Sequence, residues 1–271
     1  MLLSRHRIRR SVRTQLLPML VTLTVALVAL VITAGGAAAD RYPTAVNVNG
    51  IAVVGPLFFG GLQNSHGCSA SVIASPSRDL VITAAHCIQG NGAGIQFAPG
   101  YANGRSPYGV WSVSRVYVGP SWAAGGNTQH DYAILKMSPN VIGGHRVLLQ
   151  NVTGANTLGY SPRPGTLVTV SGYPLGSNDQ PITCTNTTYL QSGYPAFNCH
   201  GYLGGTSGSP FVARTGRVQM VVGLIGGLHQ GGCRDYTSYS PTFGPAVLTL
   251  WKRASLGSRA DVVPAAGSNG C

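Results

Sequence analysis

Apolar residues in this chain fall into short runs that alternate with polar ones or are rich in β-branched side chains. The clearest are CSASVI (68–73), DLVITAA (79–85), YGVWSVSRVYV (108–118), YAILKM (132–137), TLVTVSGY (166–173), PFVA (210–213) and VQMVVGLI (218–225). Clusters of Gly, Pro, Asn and Ser bound them, and that punctuation of two-residue periodicity predicts strands. Only VLTLWKRASLG (247–257) predicts a helix of more than a few turns. The segment 141–159 is polar and interrupted by glycine, which predicts a crossing between two halves. No short period repeats. The pattern therefore predicts an all-β chain with two sheet-closed halves and a terminal helix.

Composition sharpens that picture. Charged residues are 9% of 271 and glycines number 38, against about a quarter charged in an average soluble domain. All six acidic residues are aspartate. Arg5, Arg7, Arg9, Arg10 and Arg13 precede an apolar run from Leu16 to Ile32, which ends in AGGAAAD (34–40). A basic region, an apolar stretch and an A-x-A site predict a secretory signal peptide over 1–39, cut after Ala39. The competing expectation is a membrane anchor, but the run contains Pro18 and falls short of the ~20 residues a span needs. The Arg9-Arg10 pair matches a twin-arginine signal only weakly.

Of the net charge of +12, five cationic groups lie in that leader, so the chain beyond it carries 13 cationic against six acidic residues, or +7. No helix-turn-helix, RNA-binding signature or basic stripe accompanies this excess, so nucleic acid is not an expected partner. Export makes Cys68, Cys87, Cys184, Cys199, Cys233 and Cys271 readable as disulfides. Six cysteines allow 15 connectivities, of which pairing in sequence order is the simplest. No C-x-x-C, H-E-x-x-H or calcium-loop pattern occurs, so neither metal nor cofactor is expected.

Three positions could carry chemistry. His86 follows the strand LVIT in AAHC, and Cys87 beside it can be tied back to Cys68, fixing a group that must be placed as a general base. Asp131 opens YAILKM in HDY; a carboxylate at the mouth of an apolar strand needs a partner, and a histidine N–H suits it. A solvated strand-end aspartate is the plain alternative. Ser207 lies in GGTSGSP (204–210), where the N–H groups of Gly205 and Ser207 could hold an oxyanion. Alone that motif is only a glycine-rich loop. The order His, Asp, Ser is more specific than any one context, and it differs from the Ser, Asp/Glu, His order of α/β-hydrolases.

TAAHC (83–87), HDYAIL (130–135), SGYP (171–174) and GTSGSP (205–210) resemble the chymotrypsin-like serine peptidases, nearest to a secreted bacterial branch that includes the V8-type glutamyl endopeptidases. The resemblance spans roughly 53 to 253. It implies two packed six-stranded antiparallel β-barrels with the site in the cleft between them: 53–145 as the first barrel with His86 and Asp131, and 146–271 as the second with Ser207, a short helix and a tail. It also implies peptide hydrolysis through an acyl-enzyme, a monomer, and a polypeptide as the only partner. VVGP (53–56) resembles the mature start of such enzymes, which makes 40–52 a possible propeptide. Thr206 stands where the animal enzymes carry the aspartate that pairs with a new amino terminus, so activation is not expected to rest on that pair.

For the pocket that receives the residue before the scissile bond, the resemblance implies one wall from Gly201, Tyr202 and Leu203. The other would come from 224–227, with Ile225, Gly226 and Gly227. Gly201 takes the place of the acidic residue of a trypsin-like pocket, and Asp235 is expected in a solvated loop. Small or apolar side chains are the expected preference; glutamyl preference would need His229 to reach the pocket. The rival expectation is a chymotrypsin-like fold kept as a binding module without catalysis.

Overall fold

The computed structural model describes residues 41–175 and 180–271; the expected signal peptide lies outside the described residues. Strands β1 (Val46–Asn47), β2 (Val54–Phe59), β3 (His66–Ile73), β4 (Leu80–Thr83), β5 (Ile95–Phe97), β6 (Trp111–Val118) and β7 (Ala133–Met137) come first. A separate hairpin, β8 (Asn140–Ile142) with β9 (His145–Val147), and β10 (Thr157–Leu158) follow. The rest are β11 (Leu167–Gly172), β12 (Ile182–Gln191), β13 (Tyr194–Asn198), β14 (Pro210–Thr215), β15 (Val218–Leu224) and β16 (Thr237–Tyr239).

Strands β2-β3-β4-β7-β6-β5 close into a barrel. The second half orders its strands β10-β15-β14-β11-β12-β13-β16, with β1 added to β12 and β10 running parallel to β15. Its six antiparallel strands β11–β16 curl until β15 and β16 meet, where Gly226 N–H donates to Tyr239 O at 3.0 Å. The molecule is thus an all-β, chymotrypsin-like fold, with residues Tyr42–Cys271 in one compact unit.

Period-two alternation decides which face each side chain takes. In β4, Val81 enters the core of the first barrel with Leu57, Phe97, Trp111 and Leu135, while Leu80 and Ile82 point the other way. Those outward residues are not solvated: with Tyr117, Tyr132 and Ile134 they pack against Val221 and Leu224 of β15 and against the helix Pro245–Ser255. Burial on both faces explains why LVIT and YAILKM are so apolar. The helix presents Val247, Leu250 and Ala254 to this layer and begins with proline at its first turn, where the missing N–H costs nothing. Val168, Val170, Phe197, Phe211 and Val222 fill the second barrel.

The strands the pattern had not marked are the polar or short ones and two apolar ones, β2 (VGPLFF) and β13 (YPAFN), in which a proline interrupts the run. β12, ITCTNTTYLQ, shows its hydroxyls in ladders such as Thr169–Thr185 and Ser171–Thr183, at 2.7 and 2.8 Å. Cross-strand hydroxyl pairs stabilise a solvated sheet face without an apolar signature. The crossing expected over 141–159 contains all but the first residue of the β8–β9 hairpin, a short helix Leu149–Thr153 and β10. Disulfides join Cys68–Cys87, Cys184–Cys199 and Cys233–Cys271.

Candidate active site

Barrel register brings His86 and Asp131 to one edge. β4 and β7 are antiparallel neighbours whose last pair is Thr83 with Ala133. The chain leaves β4 into a 3-10 turn, Ala85–Cys87, and enters β7 from another, Thr128–His130, which Asn127 caps through its side chain. Residues 86 and 131 therefore exit the barrel at the same rim. There Asp131, fully buried, accepts three hydrogen bonds: from His86 Nδ1 at 2.7 Å, from the His86 backbone N–H at 2.8 Å, and from Gly227 N–H at 2.8 Å. A buried carboxylate is costly unless its lone pairs are met, and here they are. Because a carboxylate only accepts, Nδ1 carries a proton, which in a neutral imidazole leaves the lone pair on Nε2. The His86 side chain is 7% exposed.

Ser207 ends the loop that leads into β14. Gly208 N–H donates to Ile225 O at 2.7 Å and Ile225 N–H to Ser209 O at 2.9 Å, extending the β14–β15 ladder up to the serine. The first barrel grips the same loop through Ser69, a fully buried residue of β3. Ser69 N–H donates to Ser207 O at 2.7 Å, its hydroxyl donates to Gly205 O at 3.1 Å, and that hydroxyl accepts from Tyr173 N–H at 2.8 Å. Thr83 donates its hydroxyl to Ser69 O at 2.8 Å. Cys87 Sγ lies 3.9 Å from Ser207 O, so the Cys68–Cys87 bond that fixes the backbone beside His86 also abuts the serine.

Two glycines make this packing possible. Gly208 has φ +85°, and a Cβ there would lie 2.1 Å from Ser69 O. Gly205 has φ +91°, and its Cβ would lie 2.3 Å from Leu175 N. Gly204 C=O accepts from Leu175 N–H at 2.5 Å. In a trans peptide C=O and N–H point oppositely, so the N–H of Gly205 is turned away from Leu175. Among the described residues, neither Gly205 N–H nor Ser207 N–H has an acceptor. Thr206, buried beside them, turns its hydroxyl to Leu203 O at 2.6 Å and closes the loop on itself.

A cavity of about 380 Å³ opens beside Ser207. Of the residues expected around it, Tyr202, Leu203 and Ile225 line it. The other three face elsewhere: Gly201 lies against Ala45 and Ile182, Gly226 abuts Asp131, and Gly227 spends its N–H on Asp131. The chain reverses after Gly227 in a turn with His229 and Gln230 in the left-handed region, and this turn joins Ile225 in making the far wall. His229, Asp235 and Asn269 join the lining. Asp235 is paired with His200 Nδ1 at 2.9 Å, with its side chain 47% exposed. Tyr202 donates its hydroxyl to Val170 O at 2.7 Å, and burial pushes that phenol's pKa up. Sequence reasoning missed Ser69, Thr83 and Gly208 as supports of the serine loop; the one signal was that CSASVI and TAAHC bracket the cysteine bridge.

A family model described as Trypsin matches residues 55–244. Among solved structures, the chain is similar to the protease Anisep from Arthrobacter nicotinovorans, at 26% identity and TM-score 0.64 over 79% of this chain and 100% of that one. It is also similar to the thermostable serine protease AL20 from an extremophilic microorganism, at 27% identity and TM-score 0.62 over 75% and 96%. A Glu endopeptidase solved with MPD superposes at TM-score 0.63 over 80% and 98%, and at 18% identity that likeness speaks for the fold alone. Among curated proteins, none is similar enough in sequence to match.

Proposed function

Because this chain belongs to the trypsin family of chymotrypsin-like serine proteases and is a serine endopeptidase, we propose that His86, Asp131 and Ser207 are its catalytic triad. In this reading Ser207 Oγ attacks the peptide carbonyl while His86 Nε2 takes its proton. The N–H groups of Gly205 and Ser207 hold the oxyanion that forms. His86 then protonates the departing amine, and an acyl-enzyme remains on Ser207. Water, deprotonated by the same imidazole, releases the acid. Asp131 keeps the imidazole in the tautomer and orientation that every step needs. The observation that carries the proposal is the buried Asp131 carboxylate on His86 Nδ1. It sits at the rim of the first barrel, whose Ser69 also clamps a loop with two N–H groups that have no acceptor among the described residues.

The protein is proposed to act outside the cell, an assignment supported by three disulfides and by the signal-like leader. Two halves are proposed, 53–145 carrying His86 and Asp131 and 146–271 carrying Ser207 and the substrate pocket. The stretch before Val53 is proposed to stay with the mature enzyme. Val46–Asn47 pairs with β12, and Val54, buried, donates its N–H to Ile51 O at 2.9 Å. A new amino terminus there would find Thr206, whose hydroxyl is already engaged, in place of an anion.

Small or apolar side chains are the proposed preference. Tyr202, Leu203 and Ile225 give the pocket its apolar part, beside polar lining from His229, Gln230, Arg234 and Asp235, and the Asp235 carboxylate is held by His200. Digestion of a mixed peptide library, with Ser207→Ala in parallel, tests both levels. Cuts after small or apolar residues, absent with the alanine protein, are expected. Cuts after Lys or Arg would mean that Asp235 governs the pocket, and cuts after Glu would assign that role to His229. No cuts by either protein would favour a binding module.

A further inference from the structure

The segment after Val263 belongs to neither barrel, yet both hold it. At one end Val263 and Gly90 exchange both backbone hydrogen bonds at 2.8 Å, which fixes the chain to the first barrel beside the Ala85–Cys87 turn. At the other end Cys271 is bonded to Cys233, in the loop that lines the cavity beside Ser207. Between these anchors His229 Nδ1 donates to Asn269 O at 3.0 Å and Gln230 Nε2 to Gly267 O at 2.7 Å. Both donors stand in the left-handed backbone region, which non-glycine residues seldom adopt. That conformation turns them toward the strap.

The strap's residues line two cavities. Asn269 and Cys271 face the one beside Ser207, while Pro264–Asn269 face a neighbour of about 330 Å³ bounded across the gap by Trp122–Gly126 and Thr128. His229, Gln230 and Asn269 are common to both, and so form the divider between them.

We propose that Pro264–Cys271 is a specificity-determining strap of the substrate site, which sets the size of side chain that the cavity beside Ser207 accepts. The inference rests on the serine-protease reading given above. In a pocket closed by packed strands, size selection would reside in the barrel; here part of the lining, Asn269 and Cys271, comes from a segment that has no strand partner among the described residues and is fastened by a disulfide and two side-chain hydrogen bonds. Its position fixes the width available to substrate.

The test compares kcat/KM for peptides that differ only in the residue before the scissile bond, from alanine through leucine to phenylalanine. Releasing the strap with Cys233→Ser/Cys271→Ser is expected to raise the ratio of large to small residues at least tenfold. Asn269→Trp, which narrows the cavity and leaves both anchors intact, is expected to lower it at least tenfold. Fluorophosphonate labelling of Ser207 accompanies each protein. If the double cysteine variant does not fold, Asn269→Trp alone decides. Variants that label and cleave with ratios within twofold of the unaltered protein would overturn the inference while leaving the protease reading intact. An unaltered protein that neither labels nor cleaves would bring down both.

Discussion

The rim that holds His86 and Asp131 and the loops around the cavity beside Ser207 are built in opposite ways. At the rim, two adjacent strands in fixed register, two 3-10 turns and a disulfide determine each backbone position, and the carboxylate is buried with three donors. Around the cavity, Tyr202 and Leu203 are faced by a left-handed turn and the end of a strap, and Leu203, Cys233, Arg234 and Asp235 are exposed. The difference follows from what each must do. Proton transfer tolerates little displacement, so the groups that perform it sit on over-determined backbone. Recognition needs only a shaped wall, which loops supply and sequence change can alter.

The contrast can be broken most severely at the rim. Asp131→Asn would leave the shape and remove the charge that selects the imidazole tautomer, and kcat is expected to fall by about 10⁴. A rate within tenfold of the unaltered enzyme, measured on one good peptide substrate, would show that His86 does not depend on Asp131. Next comes the serine loop. Gly208→Ala places a Cβ at 2.1 Å from Ser69 O at φ +85°, and a loss of about 3 kcal/mol or more is expected in urea unfolding. An unchanged midpoint would contradict the tight docking of this loop against β3.

The two disulfides sharpen the comparison. Cys68–Cys87 closes 19 residues and Cys233–Cys271 closes 38, so chain entropy gives each about 3 to 4 kcal/mol of stability. Removing the first is expected to lower kcat along with stability, because its sulfur abuts Ser207; removing the second is expected to change which peptides are cut. Equal effects on activity would erase the distinction between rim and strap. Smaller again is the effect of Tyr132, whose pKa burial pushes up to about 12 from 10.0. Its neutral form is favoured in the fold, so that contribution is whole below pH 10 and is lost as the pH rises toward 12. Tyr132→Phe is expected to flatten the fall in stability over that interval.

Much of the rim was legible in the sequence, because its signals are local: an apolar strand ending in a histidine beside a cysteine, and an aspartate opening another apolar strand. Strands buried on both faces, such as LVIT, announce themselves by composition. β12 did not, since its outward hydroxyls leave no apolar pattern, and β5 and β16 are too short to show one. The pocket was half legible. Tyr202, Leu203 and Ile225 line the cavity from their place beside Ser207 and β15, whereas Gly227 gives its N–H to Asp131 and Gly226 to Tyr239. His229, Asn269 and Asp235 reach the cavity through a reversed turn, a distant disulfide and a loop, and no period in the sequence encodes that.

The central claim is that Ser207 is a nucleophile activated by His86. It is tested most directly by exposing the folded protein to a fluorophosphonate and mapping the adduct by peptide mass spectrometry, beside His86→Ala. A single adduct on Ser207 is expected, which the histidine variant fails to form at a comparable rate. An unlabelled Ser207 in the folded protein, or equal labelling of both proteins, would contradict it.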